Sequence, residues 1–466
     1  MSSPELVADD APADVSVGRI RGDRTPRKLR NLELILLLAA CAINGGAIYL
    51  VQLAVLDTID PTPFLLTSML TIAVLALHIT VRSVAPDADP IIIPVATLLN
   101  GMGIAQIYRI DLIVKSSGWE ATANRQVVWT ALAIVLAILV LLFIRNHRVL
   151  LRYTYIAGIL ALVLLLLPLA PIIGKADGGA QVWINLGMFS FQPGEIAKIL
   201  LAIFFAGYLV RNRDSLSMVG KKFLWMSFPR IRDLGPIMVF WLLAMSVLVF
   251  QRDLGTSLLY FGLFLVMIYV ATGRASWVFI GLGLFLTGAV VASQSLDYVN
   301  SRFRNWLTPF DQAIYDAKRS SYQLVQGLFG LAHGGMSGTG LGQGRPNITP
   351  LPQSDYIVGS IGEELGLVGI FVLLALYAIL VARGLRIGFA GRDDFGKMLA
   401  TGLSFALALQ VFIVIGGITR VIPLTGLTAP FLAAGGSSLL SNWIIVALFL
   451  RLSDTIRNQP KLVIDA

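Results

Sequence analysis

Long apolar stretches recur along almost the whole chain and constrain its fold more than any other feature. A scan of the 466 residues finds about twelve of them, each close to the roughly 20 residues that a helix needs to cross a membrane. They lie at 32–55, 64–81, 90–108, 126–144, 149–173, 194–210, 235–250, 254–272, 276–296, 357–382, 398–418 and 431–450. We therefore predict an all-α, polytopic transmembrane helical bundle.

The composition agrees with this fold, since 56% of the residues are hydrophobic and only 14% are charged. A soluble domain has no use for so many apolar side chains. Residues 1–30 are polar and end in a basic run, which predicts a disordered cytoplasmic tail that is not a cleaved signal peptide. Residues 456–466 are predicted to form a second cytoplasmic tail. Cys41 is the only cysteine, so no disulfide can form within the chain.

The distribution of Lys and Arg predicts the orientation of the spans. With the amino terminus inside, the cytoplasmic loops hold 24 of the 36 Lys and Arg residues, the outer loops hold 11, and Lys198 lies within a span. This bias follows the positive-inside rule and places both termini in the cytoplasm. It also places the long polar segment 298–355 on the outer face, where we expect the chemistry to occur.

Several cations remain on the predicted outer side in spite of this bias. Some of them are expected only to sit in solvated loops, but together they could line a cavity for an anionic phosphate group, to which Arg can donate paired hydrogen bonds. These cations are Arg109, Lys115, Arg125, Arg252, Arg302, Arg304, Lys318, Arg319, Arg345 and Arg420.

Four sequence segments carry a resemblance to a known family. The first is WINLGMFSFQPGEIAK, from Trp183 to Lys198, and the second is QRDLGTS, in which Arg252 precedes Asp253. The third runs from SYQLVQGLFGLAHGG through LPQSDYIVGSIGEELG, and the fourth is IPLTGLTAPFLAAGGSS, from Ile422 to Ser438. Together they resemble the SEDS family of cell-wall polymerases, the RodA and FtsW proteins, over most of the membrane region.

The resemblance implies a ten-span core, here with two additional amino-terminal spans like those of actinobacterial RodA proteins. It implies an inverting peptidoglycan glycosyltransferase that polymerises lipid II at the outer leaflet during cell elongation. Asp355 matches the aspartate regarded as essential, as a general base or as a ligand of a divalent cation, Mg or Mn. The implied partners are a class B penicillin-binding protein and other elongation-complex proteins, and no nucleic acid is expected.

From the residues alone, Asp355 has two interpretations. An ionised carboxylate beside a membrane span is costly unless it is paired or solvated, which marks it as a functional candidate. Alternatively, Ser354 and Asp355 could simply cap the helix that follows. Glu363 and Glu364 lie two helical turns deeper than Asp355. Either they pair with a cation such as Lys198 and fix helix packing, or they bind a ligand directly. Lys198 could also pair with Glu195, which lies three residues before it on the same helix face.

The remaining candidates have structural alternatives as well. Asp253 could cap the following span, Trp183 could be an interfacial anchor, and the glycines from 334 to 344 could form a flexible turn instead of a close approach to a sugar. The histidines are too few and too scattered for a protein-only zinc site. The predicted substrate-binding residues are Arg109, Trp183, Glu195, Lys198, Arg252, Asp253, Tyr322, Gln323, Gly335, Gly338, Glu363, Glu364 and Ser437.

Two other functions compete with polymerisation. The chain could transport lipid II across the membrane, or it could be a scaffold that activates a partner transpeptidase. A transporter should place cations along a path through the bilayer, whereas here most surplus cations are predicted on one side. A septal polymerase of the FtsW type is a further alternative within the family.

Overall fold

The computed structural model describes residues 26–56, 58–177, 180–185, 187, 190–213, 222–223, 226–227, 231–317 and 320–458. The predictions for residues 1–25 and 459–466 of the two tails, and for Lys318 and Arg319, lie outside these ranges. Within them, helices dominate the structure, as the apolar pattern predicts.

The described ranges contain sixteen α-helices. They are α1 (Pro26–Val55), α2 (Thr62–Val84), α3 (Ile92–Val114), α4 (Thr122–Phe143), α5 (Arg148–Arg152), α6 (Thr154–Leu166), α7 (Pro193–Arg211), α8 (Ile231–Gln251), α9 (Leu254–Thr272), α10 (Ser276–Ser295), α11 (Asp297–Leu307), α12 (Gln312–Tyr315), α13 (Tyr322–Gly334), α14 (Ile357–Ala390), α15 (Asp394–Ile418) and α16 (Gly436–Arg457). Twelve of them correspond to the twelve predicted spans.

Among the described residues, nine helices are long and apolar enough to cross a membrane. The other three predicted spans correspond to α3, α6 and α8. Of these helices, α3 is more polar, α6 is shorter, and α8 is only partly described. The chain is therefore a multi-pass membrane protein with an all-α fold. The predicted span 149–173 is shorter than expected, because its helix breaks at Tyr153 and ends at Leu166.

Two small sheets are exceptions to the all-helical architecture. Strands β1 (Gly174–Asp177), β2 (Ala180–Asn185) and β3 (Ser190–Phe191) form an antiparallel sheet in that order, with Lys175 opposite Trp183. Strands β4 (Lys222–Phe223) and β5 (Met226–Ser227) form a two-stranded hairpin. Trp183 therefore belongs to strand β2.

Small residues allow close packing between the helices, as is common in membrane bundles. A methyl group added at Gly158 on α6 would lie 2.8 Å from the Phe204 ring on α7. One added at Gly384 on α14 would lie 2.1 Å from Ser404 Oγ on α15. Such contacts pack α6 closely against α7 and α14 closely against α15.

The segment 298–355 is not the open polar loop that its composition suggests. It contains most of α11, the short helix α12 and the amphipathic helix α13. Residues Tyr322–Gly334 are helical, and the residues that follow are hydrogen-bonded to α14.

Candidate functional site

Asp355 lies just before α14, and its side chain is half-buried. Tyr356, and not Asp355, holds the cap position of α14, and the Tyr356 side chain makes no capping hydrogen bond. A methyl group added at Gly426 would lie 3.7 Å from Asp355 Oδ2, so the carboxylate faces the 419–435 region. Burial, with a smaller contribution from the Asp355 charge, raises the pKa of the neighbouring Tyr356.

The non-helical residues 419–435, here called the connecting segment, join α15 to α16 next to Asp355. Irregular backbone inside a membrane protein must find hydrogen bonds within the protein, because lipid supplies none. Arg302 and Trp306 on α11 each donate to one of its carbonyl oxygens at 3.1 Å, and four side chains on the membrane helices do so as well. They are Asn100 to Phe431 at 3.4 Å, Gln126 to Ala433 at 2.9 Å, Tyr377 to Pro430 at 2.5 Å, and Gln410 to Thr428 at 2.9 Å.

A buried ion pair lies beside the connecting segment. Lys198 Nζ is 2.8 Å from Glu195 Oε2, one helical turn away on α7, and 2.9 Å from Gln410 Oε1. Ser441 Oγ donates to the same Glu195 oxygen at 3.0 Å. Both charges are therefore compensated, and Gln410 links them to the Thr428 carbonyl.

This arrangement confirms the predicted pairing of Lys198 with Glu195. It contradicts the suggestion that Lys198 neutralises Glu363 or Glu364, which are bound elsewhere. Ser437, another predicted site residue, accepts a hydrogen bond from the backbone amide of Gln192 at 2.8 Å.

Asp253 lies on another side of the connecting segment. Its carboxylate accepts a hydrogen bond from the Thr256 amide at 2.9 Å, which confirms that it caps α9. Burial raises the pKa of Asp253, although the hydrogen bonds to Thr256 oppose this shift. A methyl group added at Gly255 would lie 2.6 Å from Leu427 Cγ, so the start of α9 packs directly on the segment.

Two arginines also approach this region. Arg302 on α11 donates to the Leu424 carbonyl at 3.1 Å, two residues before Gly426. Arg252 has an exposed side chain and a backbone φ of 59°, in the left-handed region that few residues other than glycine adopt. The structure thus brings Asp355, Asp253, Glu195, Lys198 and Ser437 together around one segment.

A second structural unit forms where α14 breaks at Gly366, which has a φ of 66°. The residues after α13, 335–345, are here called the glycine loop, and they insert into this break. The Leu367 amide donates to the Gly335 carbonyl at 2.9 Å and the Val368 amide to Met336 at 3.2 Å. In return, the Glu363 and Glu364 carbonyls accept from the Thr339 amide at 3.1 Å and the Gly340 amide at 2.9 Å.

The side chains of Glu363 and Glu364 hold the glycine loop as well. Glu363 Oε1 accepts from the Arg345 amide at 2.9 Å and lies 3.1 Å from His333 Nδ1. Glu364 Oε2 accepts from the Gly342 amide at 2.9 Å, while Glu364 Oε1 lies 3.2 Å from Arg109 Nε. Both carboxylates therefore fix packing, which is one of the two roles predicted for them.

The glycines of this loop do not all serve the predicted role. A methyl group added at Gly338 would lie 2.2 Å from the Glu364 carbonyl oxygen, so this glycine permits a close approach to α14 and not to a sugar. At Gly335, by contrast, an added methyl group would have no neighbour within 4 Å among the described residues.

Three predicted residues lie on other elements. Gln323 on α13 donates to the Pro350 carbonyl at 2.9 Å, and the Tyr322 ring packs edge-on against Tyr315, with ring centres 5.3 Å apart. Trp183 is half-buried in β2. Arg109 lies at the glycine loop, where it donates to the Gly344 carbonyl at 2.9 Å.

The described residues include no cluster of three or more His, Cys, Asp or Glu side chains that would hold a metal ion. A protein-only metal cage does not fit this part of the chain. Asp355 fits only a cation of the magnesium type that takes one carboxylate and completes its coordination with substrate phosphates and water.

Sequence reasoning missed the side chains that hold the connecting segment. Polar residues inside otherwise apolar spans were the available signal, because such residues are costly in a membrane and usually bind a partner. The missed residues are Asn100, Gln126, Tyr377 and Gln410.

The chain matches the family model of the cell cycle proteins FtsW, RodA and SpoVE over residues 90–458. It is 46% identical over 443 residues to the peptidoglycan glycosyltransferase RodA of Mycobacterium bovis, covering 93% of both chains. It is 31% identical to the stage V sporulation protein E of Bacillus subtilis, covering 80% of this chain and 98% of that one.

Two solved structures share the fold. The rod shape determining protein RodA of Thermus thermophilus matches with a TM-score of 0.55 at 23% identity, covering 78% of this chain and 96% of that one. A chain of a peptidoglycan synthase complex, studied for its coordination of polymerization and crosslinking, matches with a TM-score of 0.56 at 23% identity, covering 84% and 98%. With the fold, the motifs and the sequence relatives in agreement, the chain belongs to the FtsW, RodA and SpoVE family.

Proposed function

We propose that this chain is a peptidoglycan glycosyltransferase that polymerises lipid II into β-1,4-linked glycan strands. The 46% identity to the Mycobacterium bovis enzyme over nearly the full chain is the observation that carries this proposal. The half-buried Asp355 beside Gly426 supplies a carboxylate where the reaction needs a base.

In the proposed reaction, the sugar 4-hydroxyl of one lipid-linked disaccharide attacks the anomeric carbon of another. The bond from that carbon to undecaprenyl pyrophosphate breaks, and its electrons leave with the pyrophosphate. Asp355 accepts the hydroxyl proton as the new bond forms, with inversion at the anomeric carbon. Arg302, which reaches the segment next to Gly426, offers a positive charge for the anionic leaving group.

In the alternative role, Asp355 would instead hold a divalent cation, which would supply charge stabilisation for the pyrophosphate. The Glu195 and Lys198 pair has a different role in this proposal. Because both charges are compensated, they hold Gln410 against Thr428 and so keep the connecting segment in place.

The elongation role is favoured over the septal role. Identity to the Mycobacterium bovis RodA is 46%, whereas identity to the FtsW of Geobacter metallireducens is 29%. Helices α1 and α2 precede residue 90, where the family model begins. A class B penicillin-binding protein is the proposed partner, supported by the shared fold with a chain of a peptidoglycan synthase complex.

We further propose that both termini face the cytoplasm and that Asp355 faces the outer side of a bacterial plasma membrane. The excess of 24 over 11 Lys and Arg residues supports this orientation. Labelling of single cysteines placed at Arg345 and Arg392 in a Cys41→Ser background, using a membrane-impermeant reagent on intact cells, tests it. Labelling of Arg345→Cys alone is expected, and labelling of Arg392→Cys alone would contradict the proposed orientation.

Purified protein incubated with lipid II in detergent, with the cognate transpeptidase present, tests the activity. Glycan strands of increasing length are expected. A transporter would only move lipid II across a bilayer, so it would produce no strands in detergent solution. Asp355→Asn should abolish them. Asp311→Asn changes a carboxylate in the same 298–355 segment that only caps α12, and it should polymerise normally.

Normal polymerisation by Asp355→Asn overturns the catalytic assignment. Absence of strands with the native protein and its partner overturns the enzyme proposal and favours the transporter and scaffold alternatives.

A further inference from the structure

A cavity whose lining does not include Asp355 lies within the membrane region, between α1, α2, α3, α4 and α16. Its lining includes Cys41, Asn44 and Thr71 from the first two helices, together with Thr97, Asn100 and Thr130. Neither α1 nor α2 belongs to the region that the family model matches. The cavity therefore depends on a part of this chain that the shared catalytic core does not include.

Two polar atoms at this cavity have no hydrogen-bond partner in the described part of the chain. They are Asn44 Oδ1 and Thr97 Oγ1, and both side chains are more than nine-tenths buried. The Asn44 amide nitrogen already donates to the Thr97 carbonyl at 3.0 Å, so the side chain is fixed with its oxygen left over. A buried acceptor without a donor costs free energy, which a hydrogen-bonding ligand would recover.

The lining decides the chemical class of that ligand. The described residues that line the cavity include no Asp, Glu, Lys, Arg or His, so nothing there would compensate a phosphate or an ammonium group. Most of the remaining lining is apolar, and α1, α2 and α4 are membrane-spanning candidates. A neutral molecule with one hydroxyl group and an apolar chain fits a cavity that has an apolar wall, unpartnered polar atoms and no charged side chain among its described lining residues.

We propose that this cavity binds the hydroxyl end of a neutral, membrane-dissolved lipid alcohol. The hydroxyl donates to Asn44 Oδ1 or exchanges a hydrogen bond with Thr97 Oγ1, and the chain lies along the apolar wall. The binding site does not depend on the proposed polymerase activity, and its test does not measure that activity.

The single cysteine of the chain provides the readout, because Cys41 lines the cavity and is half-buried. Full-length protein in lipid nanodiscs is treated with methyl methanethiosulfonate, and the rate of adduct formation is followed by intact-protein mass spectrometry. Addition of 1-decanol should slow the reaction several-fold, whereas decane, which has the same chain and no hydroxyl, should not. Cys41→Ser gives the background.

Thr97→Val removes the unpartnered hydroxyl with little change of shape, and it should raise the decanol concentration for half-maximal protection about fivefold, the effect of one neutral hydrogen bond. Thr130→Val is the matched control, because the Thr130 hydroxyl already donates to the Gln126 carbonyl at 2.8 Å. It should leave protection unchanged.

Equal protection by decanol and decane, or equal behaviour of the two variants, overturns the proposal. A decanol that carries a photoreactive diazirine gives an independent measurement, should native Cys41 react too slowly to follow. It should crosslink to α1 or α3, and crosslinking confined to other helices also overturns the proposal.

Discussion

Arg109 and Glu364 are 255 residues apart in the chain, yet Arg109 Nε lies 3.2 Å from Glu364 Oε1 in the bundle interior. Arg109 also donates to the Gly344 carbonyl, and Glu364 also accepts from the Gly342 amide. The pair thus joins α3, the break in α14 and the glycine loop at one point.

The first prediction concerns this pair. Arg109→Met leaves the Glu364 carboxylate buried without its cation, which should lower the free energy of unfolding by about 3–5 kcal/mol. The double variant Arg109→Met with Glu364→Gln leaves no uncompensated charge and keeps an acceptor for Gly342, so it should be more stable than the single variant. Thermal unfolding in detergent measures both. A double variant as unstable as Arg109→Met would contradict the argument.

The second prediction concerns Gly338, which has a φ of 83° and lies against the Glu364 carbonyl. Gly338→Ala adds a steric clash to an unfavourable backbone conformation, so it should destabilise the protein by about 2 kcal/mol or more. Gly118→Ala is the control, because Gly118 has a φ of 60° and open space around it among the described residues. Its cost should be about 1 kcal/mol. Equal melting temperatures for the two variants would show that the close approach is unimportant.

The third prediction concerns Gln126, which holds the connecting segment by two hydrogen bonds. It donates to the Ala433 carbonyl at 2.9 Å and accepts from the Gly435 amide at 3.2 Å. Gln126→Leu leaves the buried Ala433 carbonyl without this donor, at about 1–3 kcal/mol, and also removes the acceptor of the half-buried Gly435 amide. Because the same segment carries Gly426 beside Asp355, glycan synthesis should also fall.

A second buried glutamine provides the control for this variant. The amide nitrogen of Gln106 has no partner within the described ranges, so Gln106→Leu should cost little stability. Unfolding temperature and strand synthesis are measured for both. If Gln126→Leu behaves like Gln106→Leu, the hydrogen bonds to the connecting segment do not position it.

The fourth prediction concerns the pH dependence of stability at Asp393, the cap of α15. Burial opposes its ionisation, but the hydrogen bonds from His147, at 2.8 Å, and from the Gly396 amide outweigh burial and lower the pKa of Asp393. A carboxyl group with a lowered folded-state pKa stabilises the protein above its unfolded pKa of about 3.9, and this contribution is lost as pH falls through the folded value.

His147→Phe should therefore reduce stability at neutral pH and make the loss below about pH 4 less steep. Unfolding temperatures between neutral and acidic pH measure the effect. Asp394→Asn removes an exposed carboxylate paired with Arg213 and should change the profile little. An unchanged acid slope in His147→Phe would mean that His147 does not set the Asp393 pKa.

Much of the architecture was predictable because its physical cause is local. A run of about 20 apolar residues predicts a membrane helix wherever it occurs, so all twelve predicted spans correspond to helices. The pairing of Glu195 with Lys198 was predictable too, since residues three apart share one helix face. Capping of α9 by Asp253 follows from the same short-range rules.

The contacts between distant segments were not predictable in this way. A carboxylate within a predicted span indicates that a cation must pair with it, but the sequence does not identify that cation. In the structure, Glu364 pairs with Arg109 and not with Lys198. The glycines of the glycine loop indicate that the backbone there lies close to another group, but only the fold shows that Gly338 lies against α14.

By itself, the sequence determined that this chain is a multi-pass helical membrane protein and, through its motifs, to which family it belongs. Only the tertiary structure decided that Asn100, Gln126, Tyr377 and Gln410 hold the connecting segment beside Asp355. The physical reason is that apolar periodicity acts over one helix, whereas the hydrogen bonds of irregular buried backbone are satisfied by whichever side chains the packing of the whole bundle brings within reach.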